Sequence, residues 1–148
     1  MTLYVVTGPP AAGKSSWIAA NARARDIVID LDRIALALAG PDAPHWRHDP
    51  TLLKVAHRAR FAAIDEALRH REAVDVYLIH TQPSARAVAK YRRHQAQFVT
   101  VDPGRDIVMQ RIADMRDPAM TAVATKWYRE AAKRSSSHKT TRQASRNW

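Results

Sequence analysis

Cysteine is absent from all 148 residues, which excludes disulfides and thiolate metal sites and fits a reducing compartment. Long apolar runs are missing too. None approaches the roughly 18–20 residues that cross a bilayer, so the chain reads as a cytoplasmic protein with no membrane span, opening on a strand instead of a signal peptide. Glycine is scarce, four residues in all, and two of them fall within one eight-residue stretch. Acids are the remaining shortage: 14 against 24 Lys and Arg give a net charge of +10 and a pI of about 10.7. Residues 134–148 hold four of those basic side chains and no acid, yet residues 1–133, with 20 basic against 14 acidic side chains, still stand at +6. Such a surface attracts polyanions, nucleic acid first among them, although a generally Arg-rich composition would produce the same excess.

What is present is equally specific. Gly8, Pro9, Pro10, Ala11, Ala12, Gly13, Lys14 and Ser15 form a complete G-x-x-x-x-G-K-[ST] loop. It follows the apolar run Leu3-Tyr4-Val5-Val6 and precedes the helix-compatible Ser16-Trp17-Ile18-Ala19-Ala20. Strand, loop and helix in that order are the context the motif requires. Glycine lets the chain bend so that successive N–H groups surround a triphosphate. Lys14 reaches the β- and γ-phosphates and Ser15 ligates Mg2+, at a helix N-terminus whose dipole favours anions.

Length suits one domain with one core, and alternating strand and helix signals run through it. Strands are expected near 2–7, 27–31, 74–80 and 98–101. Helices are expected from the loop to Arg23, then near 32–39, 51–70, 83–93, 105–115 and 119–133. Thr51 is the expected cap of the long third helix, with Leu53, Phe61, Ile64 and Leu68 on its apolar face, and Asp117 that of the last helix. Trp17 and Trp127 are expected in the core. The Ser-rich basic tail, 134–148, is expected to be disordered when free. In a parallel sheet, ligands bind at the carboxyl ends of the strands. Asp30, Asp32, His80, Thr81 and Asp102 all fall there.

A water-activating ATPase normally carries adjacent acids after an apolar strand. Here Phe98-Val99-Thr100-Val101-Asp102 is followed by Pro103-Gly104, and Leu78-Ile79-His80-Thr81 ends with no acid. The second strand instead ends Val28-Ile29-Asp30-Leu31-Asp32, two carboxylates at i and i+2 that share one side of an extended chain. A carboxylate beside the loop supplies the base that phosphoryl transfer to an alcohol requires. Asp32 is the expected base, with Asp30 in a supporting or capping role.

On these residues the chain resembles the kinase domain of polynucleotide 5′-kinases, and less closely the zeta-toxin and small-molecule P-loop kinases. The residues in question are the loop ending Lys14-Ser15-Ser16-Trp17, the Asp about 17 residues further on and an Arg-bearing segment near the C-terminus. The resemblance covers residues 1–133, taken as a kinase domain. It implies an α/β three-layer P-loop NTPase fold of kinase type, with a short, mostly parallel four-stranded sheet, helices on both faces and a C-terminal Arg-bearing lid. It implies ATP or another NTP held by Gly8 through Ser16, Mg2+ at Ser15 and Asp32, and Asp32 as general base. It also implies Asp102 near the nucleotide, and Arg111 and Arg116 as cations on the donor phosphates. Two positions depart from the pattern. Where the family often carries an Arg three residues after the catalytic Asp, to hold the acceptor phosphate, this chain has Ala35, with Arg33 as a substitute in another direction. The third strand also ends in His80-Thr81 where an acid is usual.

Basic residues recur as Lys54, His57, Arg58 and Arg60, and as Arg86, Lys90, Arg92, Arg93 and His94. These are solvated helix faces or a nucleic-acid surface, with Trp46 and Arg47 as a stacking pair nearby. His45 and His48 lack the carboxylate or thiolate partners of a metal site. Three functions follow: a kinase acting on a nucleic-acid hydroxyl, most simply a 5′-OH; a kinase of a small hydroxylated molecule; or a non-catalytic ATP- and nucleic-acid-binding module. The oligomeric state is not legible.

Overall fold

In the computed structural model, residues 1–45, 47–115 and 118–144 are described, with side chains through residue 136. The elements follow in the order β1 (Leu3–Thr7), α1 (Lys14–Asn21), β2 (Ile27–Ile29), α2 (Leu31–Leu38), α3 (Pro50–His70), β3 (Val76–Ile79), α4 (Ala85–Arg93), β4 (Gln97–Thr100), α5 (Arg105–Met115) and α6 (Pro118–Ala144). The chain divides into two compact units, one of residues 1–7 and 14–100, the other of residues 8–13 and 101–148.

The first unit holds the whole sheet, four strands in the order β2-β3-β1-β4. Every pairing is parallel, with Leu3 opposite Val76, Val5 opposite Phe98 and Ile29 opposite Leu78. The strands are short and rich in β-branched and aromatic residues, as buried parallel strands are. Their alternation sorts the helices. Leu3, Val5, Ile29, Val76 and Leu78 face a core completed by Ile64, Ala67 and Leu68 of α3 and Tyr91 of α4. Tyr4 and Tyr77 point the other way, stacked at 4.8 Å, and Trp17 of α1 lies 6.4 Å and 6.3 Å from their rings. The parallel four-stranded α/β architecture with helices on both faces is therefore the one the sequence implies.

In the second unit, Val108 and Ile112 of α5 and Ala124 of α6 enclose Ala12 in a separate buried cluster. Trp127 is buried there, stacked edge-on to Tyr128.

Several boundaries differ from expectation, each for a local reason. Asp30 is the N-cap of α2, accepting from the Asp32 N–H at 3.0 Å, so β2 ends one residue before it. Asp49, not Thr51, caps α3, accepting from the Thr51 and Leu52 N–H groups, because Pro50 supplies the preset first helical residue. Phe61, expected on the apolar face of α3, is 58% exposed, and Arg60 takes the inward position. α6 continues to Ala144, past the expected end at Lys133, over residues that include neither Pro nor Gly. Trp46, Arg116 and Asp117 lie outside the described residues. No helix among the described residues is long and apolar enough to cross a membrane.

Leu78 is fully buried at the centre of the sheet. Leu78→Ala is expected to lower unfolding free energy by about 2–5 kcal/mol, read as a reduced urea midpoint at an unchanged slope.

Candidate functional site

The backbone between β1 and α1 takes positive φ at three positions. Gly8 and Gly13 have φ of +144° and +99°, and Ala11, which is not glycine, sits at +59°. A Cβ on Gly8 would fall 2.1 Å from the Val101 carbonyl oxygen, so glycine is required there by close approach as well as by φ. Ala12 is anchored in the α5–α6 cluster. Arg111 donates from Nη1 to the Ala11 carbonyl at 3.0 Å. Within the second unit Arg111, expected as a cation on donor phosphates, is thus bonded to Ala11. Arg116, its expected companion, is outside the described residues.

Asp102 has a different set of partners. Its Oδ1 accepts from the Gly104 N–H at 3.0 Å and from the Tyr128 hydroxyl at 2.6 Å. Burial, reinforced by that bond and by the carboxylate's charge, pushes the Tyr128 hydroxyl well above its ordinary range. Asp102 therefore ties the segment after β4 to α6, a structural duty that its place in the sequence does not reveal.

In the first unit the carboxyl ends of the strands gather charge. Lys14, Asp30 and Arg60 are buried, at 8%, 8% and 6% exposure. Burial drives Lys14 down to about 8 from its ordinary 10.5, against the opposing pull of Asp30 and Asp32. Burial likewise raises Asp30, with the Asp32 N–H working against it. Arg60 donates from Nη2 to the Ile79 carbonyl at 2.8 Å, while its Nε is buried with no hydrogen-bond partner. Next to it, His80 is held down at about 4 by burial and by the Arg60 charge, so it is neutral at pH 7. Its Nδ1 lies 3.4 Å from the Tyr91 hydroxyl.

The two carboxylates of the β2 end have separated environments. Asp30 lines a cleft of about 190 Å3 together with Ser15, Ile18, Val28, Arg33 and Ile79. The Asp32 side chain is 81% exposed and lies 3.4 Å from Nε2 of His48, itself only 9% exposed. Sequence reading passed over Asp30–Arg33 as the pair inside the cleft and treated Arg60 as one of a surface run. The signal for Arg60 was available: it stands four residues from both Ala56 and Ile64, inside the buried stripe of α3. Ser15 and Ser16 are exposed at the start of α1. Among the described residues no group of three His, Asp or Glu side chains could hold a metal alone.

Fold and strand order define an α/β protein with a four-stranded parallel sheet, consistent with the P-loop kinase-like fold. Among solved structures it is similar to a chain of the Pnkp1/Rnl/Hen1 complex, at a TM-score of 0.54 and 20% identity, over 74% of this chain and 38% of that one. At that identity the likeness concerns the fold. No family model matches the chain, and no curated protein matches it.

Lys14 supplies a direct test of these electrostatics. It binds its proton more weakly folded than unfolded, so below pH 8 its burial costs about 3 kcal/mol. That cost is relieved as pH rises from about 8 to 10.5. Lys14→Met is expected to be more stable than the parent at pH 7. The gain should shrink towards pH 10, measured by urea unfolding of both proteins.

Proposed function

We propose that the protein is an ATP-dependent phosphotransferase that moves the γ-phosphate to a hydroxyl acceptor, most simply a 5′-OH of nucleic acid. The observation that carries the reading is the cleft in which a buried carboxylate, Asp30, shares a wall with Ser15 and Arg33 and is electrostatically coupled to buried Lys14. The fold likeness, the basic charge and the resemblance in the loop support the same class.

Gly8 through Ser15 is the stretch for the donor's phosphates. A buried cation such as Lys14, depressed in the absence of a ligand, is stabilised by a triphosphate in contact with it. Arg111, beside the loop, adds a planar cation for the charge that develops on the transferring phosphoryl group. Mg2+, when bound through the Ser15 hydroxyl and phosphate oxygens, supplies further neutralisation of that charge.

Asp30 takes the acceptor's proton. Desolvation makes its carboxylate a stronger base than a solvated one, whereas Asp32 is solvated. As the acceptor oxygen bonds to the γ-phosphorus, its proton passes to Asp30 and the bond from that phosphorus to the bridging oxygen breaks, releasing ADP. Counted from Asp30, the third residue on is Arg33, not Ala35. The acceptor-side Arg of the family's pattern is then present, and it lines the same cleft. The small cleft volume also suits a small hydroxylated acceptor. Activity that falls steeply with salt would favour nucleic acid, and a flat response the small molecule.

γ-labelled ATP, Mg2+ and 5′-OH oligonucleotides should yield labelled 5′ ends. Asp30→Asn is expected to reduce transfer by about 10²–10⁴-fold, with ATP binding retained, while Asp32→Asn stays within about tenfold of the parent. The reverse ranking would return the base to Asp32. No transfer to any hydroxyl acceptor by an ATP-bound protein would refute the kinase reading.

A further inference from the structure

Beyond its Asp49 cap, the first half of α3 carries cations where the helix dipole disfavours them. Cations are disfavoured at a helix N-terminus, where the backbone carries partial positive charge. Nevertheless, Lys54, His57, Arg58 and Arg60 all lie in its first half, residues 51–63 contain no acid, and the first turn has none. The acids are in the second half and occupied: Asp65 pairs with Lys90, and Glu66 with Arg69 and His70. Neither Lys54 nor Arg58 has an ion-pair partner among the described residues.

At 3.6 residues per turn, Lys54, His57, Arg58 and Phe61 fall within an arc of about 100°. All four are exposed, Phe61 at 58%. A benzyl group left in water among cations has no packing purpose here, since the inward stripe is filled by Ala56, Arg60, Ile64, Ala67 and Leu68. The position of this face is fixed from inside: Arg60 reaches the Ile79 carbonyl, at the carboxyl end of β3. The residues before it continue beyond the strand end by about 1.5 Å each, on the side of the sheet where Lys14 and Asp30 are buried.

We infer that the outward face of the first half of α3 is a docking surface for single-stranded nucleic acid, with Phe61 as the base-stacking platform and Lys54 and Arg58 as phosphate contacts. Charge complementarity selects a polyanion. The exposed ring selects one with unstacked bases, because every base offers a π-face and a duplex does not. This names the acceptor class of the proposed phosphotransferase and where its strand enters, and it rests on that reading for its purpose but not for its test.

The test is equilibrium binding of a fluorescein-labelled, 5′-OH oligothymidylate to the full chain by anisotropy, over a salt series, without ATP. Lys54→Glu with Arg58→Glu is expected to weaken binding at least tenfold and to flatten the log–log salt slope by about 1.4. Phe61→Ala should weaken it about fivefold or more at an unchanged slope. The matched control is Arg92→Glu with Arg93→Glu, at the end of α4 that leads into β4 and therefore at the opposite end of the sheet. It should bind within about twofold of the parent, all variants being checked for parental circular dichroism and melting. Equal losses in both double variants, no effect of Phe61→Ala, or no binding by the parent would each overturn the proposal. Transfer with unchanged binding in the α3 variants would leave the kinase reading standing and remove this surface. Lost binding without any transfer would do the opposite.

Discussion

Three charged side chains are buried at one end of the sheet, and only one of them is an acid. Lys14, Asp30 and Arg60 belong to α1, the β2–α2 junction and α3, so three separate segments converge on a single carboxylate. Burying a cation is costly unless it is paired. Asp30 must therefore serve both neighbours, while its own oxygen caps α2 through the Asp32 N–H. Moving it would uncap a helix and remove a carboxylate that both buried cations feel. Two buried cations and one buried acid thus meet at the carboxyl ends of the parallel strands.

The loop solves its problem by separate means. Its backbone is held at positive φ at Gly8, Ala11 and Gly13, which would be unfavourable in a free peptide. Ala12 buried under α5 and α6, the Gly8 contact on Val101 and the Arg111 bond to Ala11 over-determine that shape. Arg111 thereby helps to fix the loop backbone at Ala11. Asp102 and Tyr128, with Arg105 6.0 Å from the tyrosine ring, brace the same unit. A cation bonded to a neutral carbonyl keeps its full charge, so Arg111 leaves a positive charge beside Ala11.

Regular features were legible and exceptions were not. The four strands announce themselves through β-branched runs, and α5 was bounded correctly because Gly104 and Pro118 flank it. The Gly8–Ser15 segment is a spaced motif, so the sequence picks out the loop between β1 and α1. Burial is what the sequence concealed. Asp30 and Asp32 are the same residue type two positions apart, and only the helix start at Leu31 sends one into a cleft and the other into solvent. Arg60 and Phe61 exchanged expected roles because hydrophobicity alone assigns an aromatic inward and a guanidinium outward. The bond between Asp102 and Tyr128 could not be read from sequence, since the two lie 26 residues apart.

That exchange between Arg60 and Phe61 carries the larger argument. A helix chosen for stability alone would bury the ring and expose the cation, with acids in its first turn. α3 does the reverse on each count, and only in the half that reaches the carboxyl end of β3; its second half, with Ile64, Ala67 and Leu68 inward and paired acids outward, obeys every local rule. Sequences generally agree with their folds at every level, and the places where they do not are those where something other than folding sets the residue. Here the violations lie at the same end of the sheet as Lys14 and Asp30. The inward cation adds to the positive field at the strand ends, and the outward Lys54 and Arg58 extend it onto the surface around the Phe61 ring. One helix thus carries both the buried Arg60 at the strand end and the exposed cations beside it.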